Sequence, residues 1–396
     1  MHVVVDYTPA VHQGAGIGRH TRGLVQGLAA VLQEEKLAHS ITLLVFGRPS
    51  GGVRVPAGCA VRVVPVSARA LAIAWHRLHL PWPVTWLGVR GDLYHASDFV
   101  LPPTGGMPAL VTVHDLSFLA VPQCADAGLR AYLNRVVPRS VRRAQHVLAD
   151  SENTKRDLVR LLDVPADKIT VVYPGVEPRF RPVEDAAALA AVRRKYGLGQ
   201  GPFVLGVGTL EPRKNWPALI RAWAQLRRTT SLPHRLVIAG GKGWLYDAIF
   251  QTAEETGLAE AISFPGFVDD ADLPALYSAA DVFVYPSLYE GFGLPVLEAL
   301  ACGTPVVCAD NSSLPEAAGD AALLVNAADE EALAAALYRL LTDDVLRQSL
   351  RQRGLAHAQR FTWQASARVL LAAYQRVYAE TLPPPLRRAE AAGGEP

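Results

Sequence analysis

The chain has 396 residues, half of them hydrophobic and 19% charged, which excludes a disordered polypeptide and exceeds what one typical core accommodates. Its 39 basic and 37 acidic residues leave a formal net charge of +2, which excludes a global field for capturing nucleic acid. Four cysteines, Cys59, Cys124, Cys302 and Cys308, lack metal-ligand spacing, so reduced thiols in a cytoplasmic setting are expected.

The N-terminal MHVVVDYTPA lacks a basic region followed by a long apolar core and reads as a first β-strand, not a signal peptide. Further strands are predicted at ITLLVFG (41–47), VRVVPV (61–66), DLYHAS (92–97), ALVTVHD (109–115), HVLADS (146–151) and ITVVYPG (169–175). Amphipathic helices HTRGLVQGLAAVL (20–32) and GLRAYLNRVVPRSV (128–141) lie between them. Residues 71–88, LAIAWHRLHLPWPVTWLG, carry three of the seven tryptophans and read as a helix and loop packed on their own domain or as a segment touching a membrane. Arg139, Arg142 and Arg143 form a basic cluster, either a solvated helix face or a patch for lipid headgroups or an anionic substrate.

RPVEDAAALAAVRRKYGLGQGP (181–202) marks a boundary, giving expected domains of 1–182 and 183–360. The second half repeats the scheme, with strands at FVLGVGT (203–209), RLVIAGG (235–241), ISFPGF (262–267), DVFVYPS (281–287), PVVCAD (305–310) and ALLVN (322–326). Such alternation predicts an α/β fold of two Rossmann-like, doubly wound parallel-sheet domains facing across a cleft, with ligands at the carboxyl ends of the strands. No run of about 18 uncharged apolar residues predicts a membrane span. The tail at 383–396 is expected to be disordered.

Candidate chemistry concentrates at strand ends. SLYEGFGLPVLEALACGTPVV (287–307) sets Glu290 and Glu298 around a Gly-x-Gly-x-Pro bend. Pro295 falls in the first turn of a predicted helix, so the amides of Phe292, Gly293 and Leu294 are expected to face an anion. Glu298, one turn into that helix, suits a ribose diol; read alone, it could simply complement the helix dipole, and Glu290 could be a solvated loop residue. VLGVGTLEPRKNWPALIRAW (204–223) is a strand, loop and helix with Asn215 as the predicted N-cap. Arg213 and Lys214 just before that helix form a receptor for a pyrophosphate. Asp269, Asp270 and Asp272 read as acids at a helix N-terminus in preference to metal ligands. QGAGIGRHTRGL (13–24) is not a full G-x-G-x-x-G fingerprint, and ALVTVHDLSF places His114 and Asp115 at a strand end.

Glu290, seven residues, then Glu298, with GFGLP between, resembles the signature of retaining glycosyltransferases of family 4, which have the GT-B fold; the resemblance spans nearly the whole chain. It implies a donor-phosphate loop at Gly208, Thr209, Arg213 and Lys214, in which Thr209 stands where many members carry arginine and Arg213 supplies that charge. It further implies that Phe267 and Val268 line the nucleobase pocket, and that Gly16 and Gly18 approach the donor phosphates from the opposite domain. Arg19 then lies near donor or acceptor, and His114, with Asp115, contacts the transferred sugar. Glu316 is expected to be structural. The helix at 361–380 is expected to cross back onto the N-terminal domain.

The implied activity moves a hexose, mannose or a related sugar, from a nucleotide-sugar donor (GDP-mannose favoured) to a hydroxyl of a glycan or lipid-linked acceptor, with retention and without metal or other cofactor. Expected partners are donor and acceptor, with no nucleic acid; the expected place is the cytoplasm, with peripheral contact at the inner membrane face. A GT-B sugar-nucleotide 2-epimerase and a catalytically silent nucleotide-sugar-binding subunit are the alternatives.

Overall fold

Short runs of β-branched and apolar residues, each closed by Gly, Pro, Asp or Ser, become strands because both faces of a parallel sheet are covered. The computed structural model describes residues 1–14, 16–49, 51–78 and 80–382; the tail expected to be disordered lies outside these. In the first unit β1 (His2–Asp6), β2 (Ser40–Phe46), β3 (Cys59–Val64), β4 (Leu93–Ala96), β5 (Ala109–Val113), β6 (His146–Ala149) and β7 (Ile169–Val171) form one sheet. Its order is β3-β2-β1-β4-β5-β6-β7, every pair parallel. Strands β4, β5 and β6 are buried at every position.

The second unit holds β8 (Phe203–Val207), β9 (Arg235–Ala239), β10 (Ile262–Gly266), β11 (Val282–Tyr285), β12 (Val306–Ala309) and β13 (Ala322–Val325). They form a parallel sheet in the order β10-β9-β8-β11-β12-β13. Each sheet therefore reverses its winding once, between β1 and β4 in the first and between β8 and β11 in the second. Ligands of doubly wound sheets collect at the carboxyl ends of the strands flanking such a reversal.

The units divide at other residues than 182/183. The first comprises residues 1–116, 131–175 and the chain from Thr362; the second comprises 117–130 and 176–361. Two contacts explain the crossing at 175/176. Ser366 Oγ donates to the Tyr173 carbonyl at 2.5 Å, tying the last residues of the first unit to the helix Trp363–Thr381. One residue beyond Gly175, the Val176 amide donates at 3.0 Å to the carbonyl of Phe361. Residues 117–130 join the second unit, where Trp244 Nε1 donates to the Cys124 carbonyl at 2.7 Å.

The helix Trp363–Thr381 supplies Trp363, Leu370, Leu371 and Tyr374 to a core that also contains Val3, Val5, Leu24 and Leu28. Each such side chain, fully buried, contributes roughly 1.5–3 kcal/mol. That burial places the C-terminal helix in the first unit. Within 71–88 the chain forms a π-helical turn, Ile73–Arg77, and a 3₁₀ turn, Val84–Leu87; His79 lies outside the described residues. It buries Ala74 and Val84 but leaves Trp82 and Trp86 exposed. Among the described residues no helix is long and apolar enough to cross a membrane.

Candidate active site

The loop after β8 and the loop after β11 are neighbours because their strands pair in the sheet. After β8 the chain runs through Gly208 and Thr209 to a 3₁₀ turn, Pro212–Lys214, and then reverses at Asn215, whose φ of 57° is left-handed. Asn215 occupies the N-cap position of the helix Trp216–Thr229, but its side chain caps nothing. Its amide donates to the Ala327 carbonyl at 2.8 Å, since a left-handed residue lacks the extended geometry from which a cap folds back. The expected N-cap role of Asn215 is thus corrected. Thr209 contributes its carbonyl to Trp216 Nε1 at 3.1 Å.

Arg213 and Lys214 converge on Glu290. Lys214 Nζ donates to Glu290 Oε1 at 2.6 Å and to the Tyr285 hydroxyl at 2.6 Å; Arg213 donates to Glu290 Oε2 at 2.9 Å and to Glu211 Oε1 at 2.8 Å. Ser287 Oγ lies 2.6 Å from the same Glu290 oxygen as Lys214, and the Glu290 amide donates to Ser312 Oγ at 3.0 Å. Glu290, Lys214 and Glu211 are all buried. The two cations are therefore not an open receptor; they serve two carboxylates and are fixed by them. Burial pushes the Glu290 carboxyl up, but Arg213 and Lys214 outweigh it and hold it at about 2, an anion at neutral pH. Burial and the neighbouring Arg213 lower Lys214.

Beyond Glu290 the chain bends at Gly293, where φ is 111° and an added Cβ would lie 2.7 Å from Leu314 Cδ2, so only glycine fits. The helix Leu294–Ala301 starts there. Phe292 is buried. Glu298 is 2% exposed and accepts from the Tyr277 hydroxyl at 3.0 Å, so its carboxylate is packed within the second unit. Phe267 is 64% exposed while Val268 is buried, which separates two residues expected to line one pocket. The acidic run is tied up by Lys195, which donates to Asp269 and Asp272 at 2.7 and 2.6 Å, and by Arg179, which donates to the Asp270 carbonyl. Glu316 sits in the first turn of the helix Leu314–Ala318.

In the first unit, Gly16 opens the helix Gly16–Glu34 and faces open space. Gly18 is a packing necessity: an added Cβ would lie 1.9 Å from the Gln13 carbonyl oxygen. Arg19 and Asp115 are half-buried. His114, just past β5, is buried, with Nδ1 2.8 Å from Asp150 Oδ2 and Nε2 3.0 Å from the Ser97 carbonyl. Both partners only accept, so both ring nitrogens must donate, and the ring is an imidazolium. Burial lowers its pKa, but Asp150 outweighs burial and brings it to about 9.

The neighbouring His20 behaves oppositely. Burial lowers it to about 4, and its Nε2, 3.4 Å from Asp150 Oδ1, is not aligned for a hydrogen bond, so it stacks edge-on against His114 as a neutral ring. Ligand atoms of His20, His114 and Asp150 lie within 4.8 Å of one another, a metal-like grouping.

Both His114 ring nitrogens are thus engaged within the first unit. Sequence reasoning missed Glu211, Tyr285 and Ser287 in the second unit and Asp150, Ser97 and His20 in the first. Ser97, Asp150, Tyr285 and Ser287 sit at the carboxyl ends of predicted strands, the one signal that could have found them.

Two family models match the chain: Glycosyltransferase Family 4 over residues 14–180 and Glycosyl transferases group 1 over residues 190–357. An O-antigen chain mannosyltransferase B of Escherichia coli is 33% identical over 381 residues, covering 95% of this chain and 100% of that protein. Sucrose-phosphate synthase from Thermosynechococcus elongatus superposes with a TM-score of 0.74 at 23% identity, over 96% of this chain and 100% of that one. Anabaena HepE, solved with UDP-glucose, superposes with a TM-score of 0.65 at 19% identity, over 94% of this chain and 99% of that one. With two parallel sheets wound as described and this likeness end to end, the chain belongs to the GT-B glycosyltransferases of family 4.

Proposed function

We propose that the protein is a retaining mannosyltransferase that transfers mannose from GDP-mannose to a hydroxyl of a glycan or lipid-linked sugar in cell-surface polysaccharide assembly. The observation carrying this reading is the 33% identity to the O-antigen chain mannosyltransferase over that protein's full length. In this reading Glu290 orients hydroxyls of the donor sugar. Lys214, Arg213 and the amides of Gly293 and Leu294 meet the charge that develops on the departing diphosphate. The bond from C1 to the phosphate oxygen breaks and its electron pair stays on that oxygen. The acceptor oxygen bonds to C1 on the same face, and its proton passes to the phosphate oxygen.

Gly208 and Thr209 complete the donor site, with Phe267 against the base. His114 acts as a fixed positive charge and not as a base, with Asp115 beside it. No resident metal takes part in this reading, because lysine, arginine and helix amides balance the leaving group. The reaction is placed in the cytoplasm, at the inner membrane face where lipid-linked acceptors are held.

The test is transfer from GDP-mannose, UDP-glucose and UDP-GlcNAc to a mannose-terminated acceptor, with the anomeric configuration of the product read by NMR. Mannose transfer with an α-linked product supports the proposal. An inverted product, a donor other than GDP-mannose, or epimerisation without acceptor overturns it.

A further inference from the structure

Three buried side chains of the first unit meet at one point. His20 comes from the helix Gly16–Glu34, His114 from the loop after β5 and Asp150 from the loop after β6. They are 4%, 6% and 6% exposed, and one ligand atom from each lies within 4.8 Å of the other two. His20 Nε2 is 3.4 Å from Asp150 Oδ1, and His114 Nδ1 is 2.8 Å from Asp150 Oδ2. A tetrahedral ion with bonds of about 2.0–2.1 Å holds its ligand atoms about 3.3 Å apart. Only the His114–Asp150 pair, bridged by a proton, has to part for such an ion, by roughly 0.5 Å.

A second observation points to a ligand. Both ring nitrogens of His20 are buried without a hydrogen-bond partner. Its neighbour His95 is satisfied on both sides, by the Tyr374 hydroxyl at 2.6 Å and Thr112 Oγ1 at 2.8 Å, and so is no ligand. An unpartnered buried nitrogen is costly, and His20 Nε2 faces a carboxylate without being aligned to donate to it; a cation between the two satisfies both. The outer shell is also present. With Nδ1 on an ion, His114 keeps its Nε2–H on the Ser97 carbonyl at 3.0 Å, which fixes the tautomer and the ring. A cavity of about 10 Å³, room for about one water, is lined by His20, Ser97 and Thr112, and a water held there is a partner for His20 Nδ1.

We propose that His20 Nε2, His114 Nδ1 and the Asp150 carboxylate bind a divalent ion of the zinc class, with a water or the second Asp150 oxygen as the fourth ligand. Two imidazoles and one carboxylate suit zinc, cobalt or nickel, whereas magnesium and calcium favour shells of oxygen alone. On binding, the proton between His114 and Asp150 passes to solvent and the ion takes its place. The ion ties the helix Gly16–Glu34 to the ends of β5 and β6. None of its ligands belongs to the second unit, and it has no part in the transfer steps proposed above.

The full chain, without an added histidine tag, is tested with Co²⁺ and then Zn²⁺ in the absence of donor and acceptor. One Co²⁺ per chain is expected, with the intense visible d–d bands of tetrahedral cobalt, displaced by equimolar Zn²⁺ and unaffected by excess Mg²⁺ or Ca²⁺. Zn²⁺ should raise the melting temperature. In protein carrying nitrogen-labelled histidine, Zn²⁺ should move the ring resonances of His20 and His114 and leave those of His95 in place. His20→Phe keeps a ring for edge-on packing but offers no ligand, and metal affinity should fall by more than the roughly 10–100-fold that loss of an outer-shell partner costs. Absence of cobalt uptake overturns the proposal, as does a cobalt spectrum that Mg²⁺ abolishes. So does His20→Phe that binds like wild type, or movement of other histidines instead of these two. If His20→Phe does not fold, the nitrogen shifts of the wild-type chain decide. No readout uses mannose transfer, so this site and the functional reading stand or fall separately.

Discussion

The two strand-order reversals have the same topology and opposite charge logic. Between β8 and β11 a buried carboxylate, Glu290, is clamped by Lys214 and Arg213. Beside the reversal of the first sheet a buried imidazolium, His114, is clamped by Asp150 and the Ser97 carbonyl. In both cases the charge is not a free reagent, because burying an unpaired ion is far more expensive than burying a hydrogen-bonded pair. The difference lies in where the surplus of donors sits. The second unit gathers two cations, Lys214 and Arg213, on one carboxylate. In the first unit a single imidazolium meets one carboxylate and one carbonyl.

The comparison breaks most sharply at Lys214. Lys214→Met removes one of the two cations from a buried carboxylate; transfer should fall on the order of 10³-fold and unfolding free energy by roughly 3–5 kcal/mol. Glu290→Gln, which keeps the shape and discards the charge, should cost about 10²-fold in kcat with a smaller loss of stability. If both variants transfer at wild-type rate in a coupled GDP-release assay, the second unit's network is merely structural.

Asp150→Asn sharpens the other side. His114 then loses its counter-ion, and its ring, read by nitrogen chemical shifts, should titrate below its present value of about 9. Stability should fall by about 2–4 kcal/mol in denaturant melts. A ring that stays protonated in the variant would show that the Ser97 carbonyl suffices.

The pH dependence has opposite sign at the two sites. The His114 pKa is raised from 6.5 to about 9, so its contribution is fully present below 6.5 and is lost as pH rises through about 9. That of Glu290 is lowered from 4.5 to about 2, so its contribution is present above 4.5 and disappears as pH falls through about 2. Melting temperatures of wild type should therefore decline between pH 6.5 and about 9, and Asp150→Asn should flatten that decline. The smallest effect is expected at Phe267: its replacement by alanine should weaken nucleotide binding about tenfold while stability moves by less than about 0.5 kcal/mol, since the ring is 64% exposed.

Secondary structure was readable locally. Every strand foreseen from apolar runs and their Gly, Pro, Asp or Ser boundaries is present, because a parallel strand buried on both faces leaves its pattern in adjacent residues. The Gly293 bend was equally plain, since a left-handed residue opening a helix calls for glycine. Asn215 was misread for the same local reason: the sequence shows a residue that suits a cap, but not the backbone reversal that denies it one.

What the sequence by itself determined was the strand set, the two winding units and the residue types at the carboxyl edges. Partnership was decided by tertiary structure alone. Lys214 meets Glu290 across 76 residues because β8 and β11 pair in the sheet, and the charge of His114 depends on a carboxylate 36 residues away and a carbonyl on another loop. Ionisation follows from desolvation and the neighbours within a few ångströms, and those are properties of the folded chain that no run of adjacent residues encodes.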